Sequence, residues 1–178
     1  WDPLRLFAEI KHGLGQCAGF SPSDGATPAA NRALAGIGID TWGVDFALLG
    51  RDDELLGNPF HYRDRRTMGM MERASQRVPR EEIFERTGIQ FMPINSLYML
   101  LSLAESPSLA AAATFLMIPD LFNFWLSGRK ACEFTDATTT QLYDQRAHDW
   151  ARPLLDRLGL PGHIFLPVTP PGTVLGPL

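Results

Sequence analysis

The stretch Ile37-Gly38-Ile39-Asp40-Thr41-Trp42-Gly43-Val44-Asp45-Phe46 concentrates the chemistry of this chain. Two carboxylates, a hydroxyl and an indole fall within one tight bend between apolar runs. Gly38 and Gly43 permit a close backbone approach that bulkier residues would obstruct. A polyhydroxylated ligand uses that mixture of groups well. A plain hairpin needs no tryptophan and two acids at its turn. The bend therefore has two readings, a ligand site and a structural turn, and its residue types favour the first.

Other potential chemistry is sparse. The run Arg63-Asp64-Arg65-Arg66 is the only dense charge cluster, and it contains its own acid. It reads as a solvated face, because a nucleic-acid footprint needs a broader basic surface. With 16 basic and 20 acidic residues the net charge is −4, which argues against nucleic acid as a partner. Cys17 and Cys132 lie far apart and outside any metal-ligand spacing, so a reducing compartment is expected and a disulfide framework is not. His12, His61, His148 and His163 are scattered, and no zinc motif assembles from them. No apolar run approaches the roughly 20 residues needed to span a membrane, so a membrane partner is not expected either.

The elements that position these residues alternate in type. Pro3 to Leu14 carries Leu4, Leu6, Phe7, Ile10 and Leu14 at helical spacing, opened by Asp2-Pro3 and stopped by Gly13 and Gly15. Phe20 to Ala33 reads as a surface loop. Leu34 to Ile39 and Phe46 to Leu49 read as strands flanking the bend. Arg51-Asp52-Asp53-Glu54 turns the chain back to Leu55-Leu56, and Asn58 to Tyr62 reads as another short strand. Helices follow over Arg66 to Val78, Arg80 to Arg86 (closed by Gly88) and Asn95 to Ala104, the last with Leu97, Leu100, Leu101 and Ala104 on one face. Thr114 to Ile118 reads as a buried strand, Pro119 to Ser127 as a helix ended by Gly128, and Asp149 to Leu158 as the final helix. Trp125, Trp150 and Met68, Met70, Met71 and Met99 are assigned to packing. The pattern is that of an α/β fold of one domain. The helix-rich middle, Arg66 to Leu158, reads as an insertion or cap beside the sheet.

Taken in order, the segments carry a family resemblance. Ile39-Asp40-Thr41-Trp42-Gly43-Val44-Asp45-Phe46, then His61-Tyr62-Arg63-Asp64, resembles the N-terminal part of the FGGY carbohydrate kinases, in the branch acting on L-rhamnulose. Thr87 to Asn95, Met117-Ile118-Pro119-Asp120-Leu121, Glu133 to Gln141 and Pro171 to Gly176 continue it along nearly the whole chain. The resemblance implies a ribonuclease-H-like, actin-type α/β fold, with this chain a portion of the N-terminal, sugar-binding domain truncated at both ends. It implies a kinase that uses ATP and magnesium to phosphorylate the 1-hydroxyl of L-rhamnulose or a related ketose, in a cytoplasmic pathway. A fuculose-type kinase and a non-catalytic sugar-binding module of the same fold are the alternatives.

For individual residues, the resemblance assigns the sugar site to Gly43, where the backbone approaches the ligand, to Trp42 and Val44 beside it, and to Thr41, Asp45, Tyr62, Arg63 and Asp64. A salt bridge that positions a loop is the equal alternative for Arg63 and Asp64. Asp120 is read as a helix N-terminal residue before a sugar contact, and the hydroxyls of Thr135 to Thr140 as caps. The glycine-rich phosphate hairpin of the family has no counterpart in these residues. Its base, in a His-Asp-Thr segment, has none either and is expected beyond Leu178. His148-Asp149-Trp150 does not substitute for it. No Gly-x-x-x-x-Gly-Lys loop is present. The resemblance thus places no catalytic, nucleotide or metal site in this chain, which alone is expected to be inactive.

Overall fold

The computed structural model describes residues 1–19 and 34–177, so the loop expected over Phe20 to Ala33 lies outside the described residues. Helix α1 (Pro3–Gly19) runs straight through Gly13 and Gly15. The cost of each glycine is only about 1 kcal/mol relative to alanine, too little to stop a helix that rests on Phe122 and Trp125 through Phe7. The centre of the molecule is a two-stranded antiparallel ladder, β1 (Phe46–Leu49) against β2 (Thr114–Met117), with Phe46 opposite Met117 and Leu49 opposite Thr114. All eight residues are buried, which explains why both strands read as continuous apolar runs and not as alternating ones. The helix-rich middle therefore contributes a strand to the sheet and is not a simple insertion beside it.

Several segments depart from expectation for identifiable reasons. Leu34 to Ile39 is irregular, with a bend at Ala35, and belongs to no described ladder. Asn58 to Tyr62 is irregular: Pro59 has no N–H to give, and its carbonyl accepts from the backbone nitrogen of Trp1 at 2.8 Å. The helix expected from Arg66 breaks at Gly69, whose φ of 77° splits a short 3-10 turn (Arg65–Thr67) from α2 (Met70–Arg77). Met68, at that break, is 73% exposed and packs in no core.

Beyond it, α3 (Arg80–Thr87) ends on Gly88 at φ 67°, as its sequence indicates. Helix α4 (Ser96–Ser102) is buried on every side, Ser96 through Leu101, where one apolar face was expected. Its even burial follows from its position between the Arg65–Thr67 turn, α2 and the 138–140 turn. Short α5 (Pro107–Ala111), capped by Ser106, leads into β2, and α6 (Ile118–Ser127) begins on the residue after it.

The last third is built from short pieces. Strand β3 (Cys132–Glu133) passes directly into α7 (Phe134–Ala137) and later pairs in parallel with β6 (Val168–Thr169). Strands β4 (Tyr143–Asp144) and β5 (Asp149–Trp150) form a hairpin, so the first two residues of the expected final helix are strand, and α8 covers only Arg152–Leu158. Trp150 closes the core against Phe115 and Phe165, its ring centroid 4.7 Å from that of Phe165, and its indole N–H donates to the Leu166 carbonyl at 2.6 Å. Among the described residues no helix is long and apolar enough to cross a membrane.

Candidate functional site

Two chain reversals meet at the end of the central ladder. β2 stops at Met117 and α6 starts at once, while the bend Ile39 to Gly43 arrives alongside. A cleft of about 200 Å³ opens between that bend, the first turns of α6 (Pro119, Asp120, Asn123) and the β3–α7 junction (Glu133, Thr135, Asp136, Thr139). Four carboxylates, those of Asp40, Asp120, Glu133 and Asp136, line it, and no lysine or arginine does.

The junction is built by capping. Glu133 accepts from the Thr135 and Asp136 amides at 2.9 and 3.2 Å and so starts α7. The hydroxyls of Thr138, Thr139 and Thr140 each donate to the carbonyl three residues back, at 2.9, 2.8 and 2.6 Å. That is the capping role expected of the threonine run, and it leaves the acids facing the cleft.

Asp120 lies in the first turn of α6, the helix N-terminal place expected for it. Its Oδ1 accepts from the Glu133 amide at 3.1 Å, and its Oδ2 is buried without a partner among the described residues. Asp136 Oδ2 is in the same condition. Burial, with Asp136 and Glu133 nearby, pushes the Asp120 carboxyl up to about 8. Burial pushes Asp136 up to about 7, against the Thr139 hydroxyl that pulls it down. Among the described residues, no cluster of three or more His, Cys, Asp or Glu side chains could hold a metal ion.

The structure brings some of the expected site residues together and separates others. Thr41, Trp42 and Gly43 line the cleft. A β-carbon on Gly43 would stand 3.3 Å from Asp136 Oδ1 and 3.3 Å from Thr139 Oγ1, so the chain's own side chains already restrict this position. Val44 and Asp45 turn away. Val44 sits at φ 69°, unusual for a β-branched residue, and its carbonyl accepts from the Ser96 hydroxyl at 2.5 Å. Asp45 is 2% exposed and accepts from both the Trp42 and the Trp1 indole. Burial raises its pKa while those two indole bonds lower it.

Tyr62, Arg63 and Asp64 lie outside the cleft lining. They join it through an aromatic row: Trp42 on Trp1 (4.4 Å), Trp1 on His61 (4.7 Å) and His61 on Tyr62 (4.3 Å), with the Arg63 guanidinium over Tyr62. Asp64 caps the Arg65–Thr67 turn, where the Arg66 amide holds its carboxyl below the usual carboxylate range. The loop-positioning salt bridge expected of Arg63 and Asp64 is made instead by Asp64 with Arg66, at 3.2 Å.

Known proteins match this chain in sequence and in fold. The FGGY family of carbohydrate kinases, N-terminal domain, matches residues 27–178. This chain belongs to the FGGY family. A rhamnulokinase of Pectobacterium carotovorum subsp. carotovorum (strain PC1) is 42% identical over 178 residues, which is 99% of this chain and 34% of that protein.

Among solved structures, the ligand-bound xylulose kinase of Lactobacillus acidophilus superposes with a TM-score of 0.82 at 24% identity, over 99% of this chain and 34% of its own. Plasmodium falciparum glycerol kinase with ADP superposes with a TM-score of 0.78 at 17% identity, over 98% of this chain and 36% of its own. The FGGY chain thus has the expected actin-type sugar kinase fold. It spans about a third of the length of the curated relatives it matches.

Glu133 and Asp136 were not singled out from sequence, although both sit in a quoted family segment. Their signal is local: a glutamate three residues before an aspartate, with threonines between and after, is a capping pattern that also aims carboxylates. Trp1 carries no local signal at all. Its contacts are with residues 42 to 61.

Proposed function

We propose that this chain forms the sugar side of the cleft of an ATP-dependent kinase that phosphorylates the 1-hydroxyl of L-rhamnulose. The observation that carries the reading is the cleft lined by Trp42 and Gly43, with the polar side chains of Asp40, Thr41, Asn123 and Thr135 around it. A ketose offers matching donors and acceptors in its hydroxyls. The 42% identity to a rhamnulokinase along 99% of the chain favours L-rhamnulose among ketoses, and the family as a whole acts on carbohydrates.

Phosphoryl transfer depends on positioning, on neutralising phosphate charge, and on a base for the attacking hydroxyl. The described residues do not fit a directly coordinated magnesium ion, and the acid-lined cleft has no cation to meet phosphates. We therefore assign this chain the task of orienting the sugar. Nucleotide, metal and catalytic base are assigned to residues other than those described here, the base beyond Leu178. The cytoplasm, where ATP is abundant, suits this activity.

The test is ADP release by the full-length protein with L-rhamnulose, L-fuculose, L-xylulose and glycerol. The expected result is the highest kcat/KM on L-rhamnulose. A higher value on L-fuculose would reassign the substrate within the family. Sugar binding without ADP release from any substrate would overturn the kinase reading in favour of a binding module.

A further inference from the structure

One oxygen of Asp45 serves two tryptophans. Its Oδ2 accepts from the Trp42 indole at 2.8 Å and from the Trp1 indole at 2.5 Å. At 2% exposure, this carboxylate is closed off from anything bound in the cleft. Trp42, which it holds, lines the cleft.

An indole has one polar atom, its N–H. In Trp42 that atom is committed to Asp45, so what the ring offers a ligand is carbon. Elsewhere the lining is largely polar, with the side chains of Asp40, Thr41, Asn123 and Thr135. A ligand in this cleft therefore meets hydrogen-bonding groups there and an apolar ring at Trp42. Hydroxyl-bearing carbons suit the polar lining. A carbon without a hydroxyl suits the ring, where a hydroxyl would exchange its water for no partner.

We propose that Asp45 is a positioning residue that fixes the Trp42 ring as the seat of the deoxy carbon of a 6-deoxy-ketose, and that it thereby sets discrimination against the 6-hydroxy counterpart. This rests on the ketose reading of the cleft given above. Trp1 extends the same clamp outward. Its ring lies between Trp42 and His61, so the Asp45 bonds tie the cleft wall to the whole aromatic row.

The experiment compares L-rhamnulose with L-fructose, its 6-hydroxy counterpart, in the full-length protein. One apolar contact of this kind is worth roughly tenfold or more in specificity. Asp45→Ala is therefore expected to raise KM for L-rhamnulose about tenfold, with kcat and the KM for L-fructose changed less than about threefold. Asp45→Asn, whose carboxamide oxygen can still accept both indole N–H groups, is expected to retain the discrimination. Trp42→Phe, which keeps a ring but loses the N–H that Asp45 holds, is expected to lose discrimination as Asp45→Ala does, and Trp42→Ser loses it.

A spectroscopic readout stands apart from turnover. The indole 15N–H resonances of Trp1 and Trp42 are expected downfield in the parent and in Asp45→Asn, and shifted upfield in Asp45→Ala. Unmoved resonances in Asp45→Ala would overturn the clamp. Moved resonances with discrimination intact would overturn the specificity role. If Asp45→Ala does not fold, loss of discrimination in Asp45→Asn or its survival in Trp42→Ser overturns the proposal. No turnover of either ketose by the parent removes the functional reading and the specificity role with it, while the resonances still decide the clamp.

Discussion

The buried acids of the cleft make the stability of this chain depend on pH in an unusual direction. Asp120 and Asp136 titrate near 8 and near 7 in the folded protein, against 3.8 for an ordinary aspartate. Around pH 6.5 the folded state therefore holds between one and two more protons on this pair than the unfolded state does. Each such proton lowers the unfolding free energy by about 1.4 kcal/mol per pH unit of increase, a combined slope of roughly 2 kcal/mol per pH unit. Stability is highest below the unfolded carboxylate range and is lost as pH rises through the folded values, so it should fall between pH 5.5 and 7.5. The carboxyls held low, Asp64 and Asp144, work in the opposite direction, but only in more acid solution, where their folded forms protonate.

Asp120→Asn is the diagnostic change. It keeps an acceptor for the Glu133 amide and removes the titration, so the slope should drop to roughly 1 kcal/mol per pH unit and the variant should gain most over the parent at pH 8. Urea unfolding of the chain at several pH values, followed by far-UV circular dichroism, measures both. A parent whose stability is flat or rising over that window would refute the reasoning, as would an Asp120→Asn slope equal to the parent's.

Two further changes test the packing behind the bend. Gly43→Ala places a methyl 3.3 Å from Asp136 Oδ1 and Thr139 Oγ1 and is expected to cost about 1–2 kcal/mol in urea unfolding; adding Thr139→Ala should recover part of that cost, and no recovery would argue against this contact. Ser96→Ala removes the hydroxyl that donates to the Val44 carbonyl and should cost about 1–2 kcal/mol by the same assay, whereas a neutral outcome would mean that Val44 holds its positive φ without help.

Legibility from sequence followed the range of the interactions. The glycines after α3 and α6 were readable as stops because a positive φ is a demand made at one residue. The strands β1 and β2 were readable because full burial leaves an unbroken apolar run. Gly69 was missed as a break inside a helical pattern, and Gly13 and Gly15 were over-read as stops, since packing outweighs the modest preference at each. In the site, Trp42 and Gly43 were legible as residues of unusual type for a turn. Asp45 and Asp64 looked equally chemical, yet one holds two indoles and the other caps a turn, a distinction that only their partners make.

The order of motifs along the chain was enough to determine the family, because each segment keeps its residue types and its place whatever surrounds it. The sequence likewise determined the apolar strands, the helix stops and the bend with its tryptophan. Tertiary structure alone decided which polar groups share a cleft. Asp40, Asp120, Glu133 and Asp136 lie up to a hundred positions apart, and they meet because α6 and α7 start where their strands end. It also decided that Trp1 reaches Asp45, 44 positions away. A carboxylate's role is set by whether donors and solvent reach it, and that depends on the surfaces folded around it.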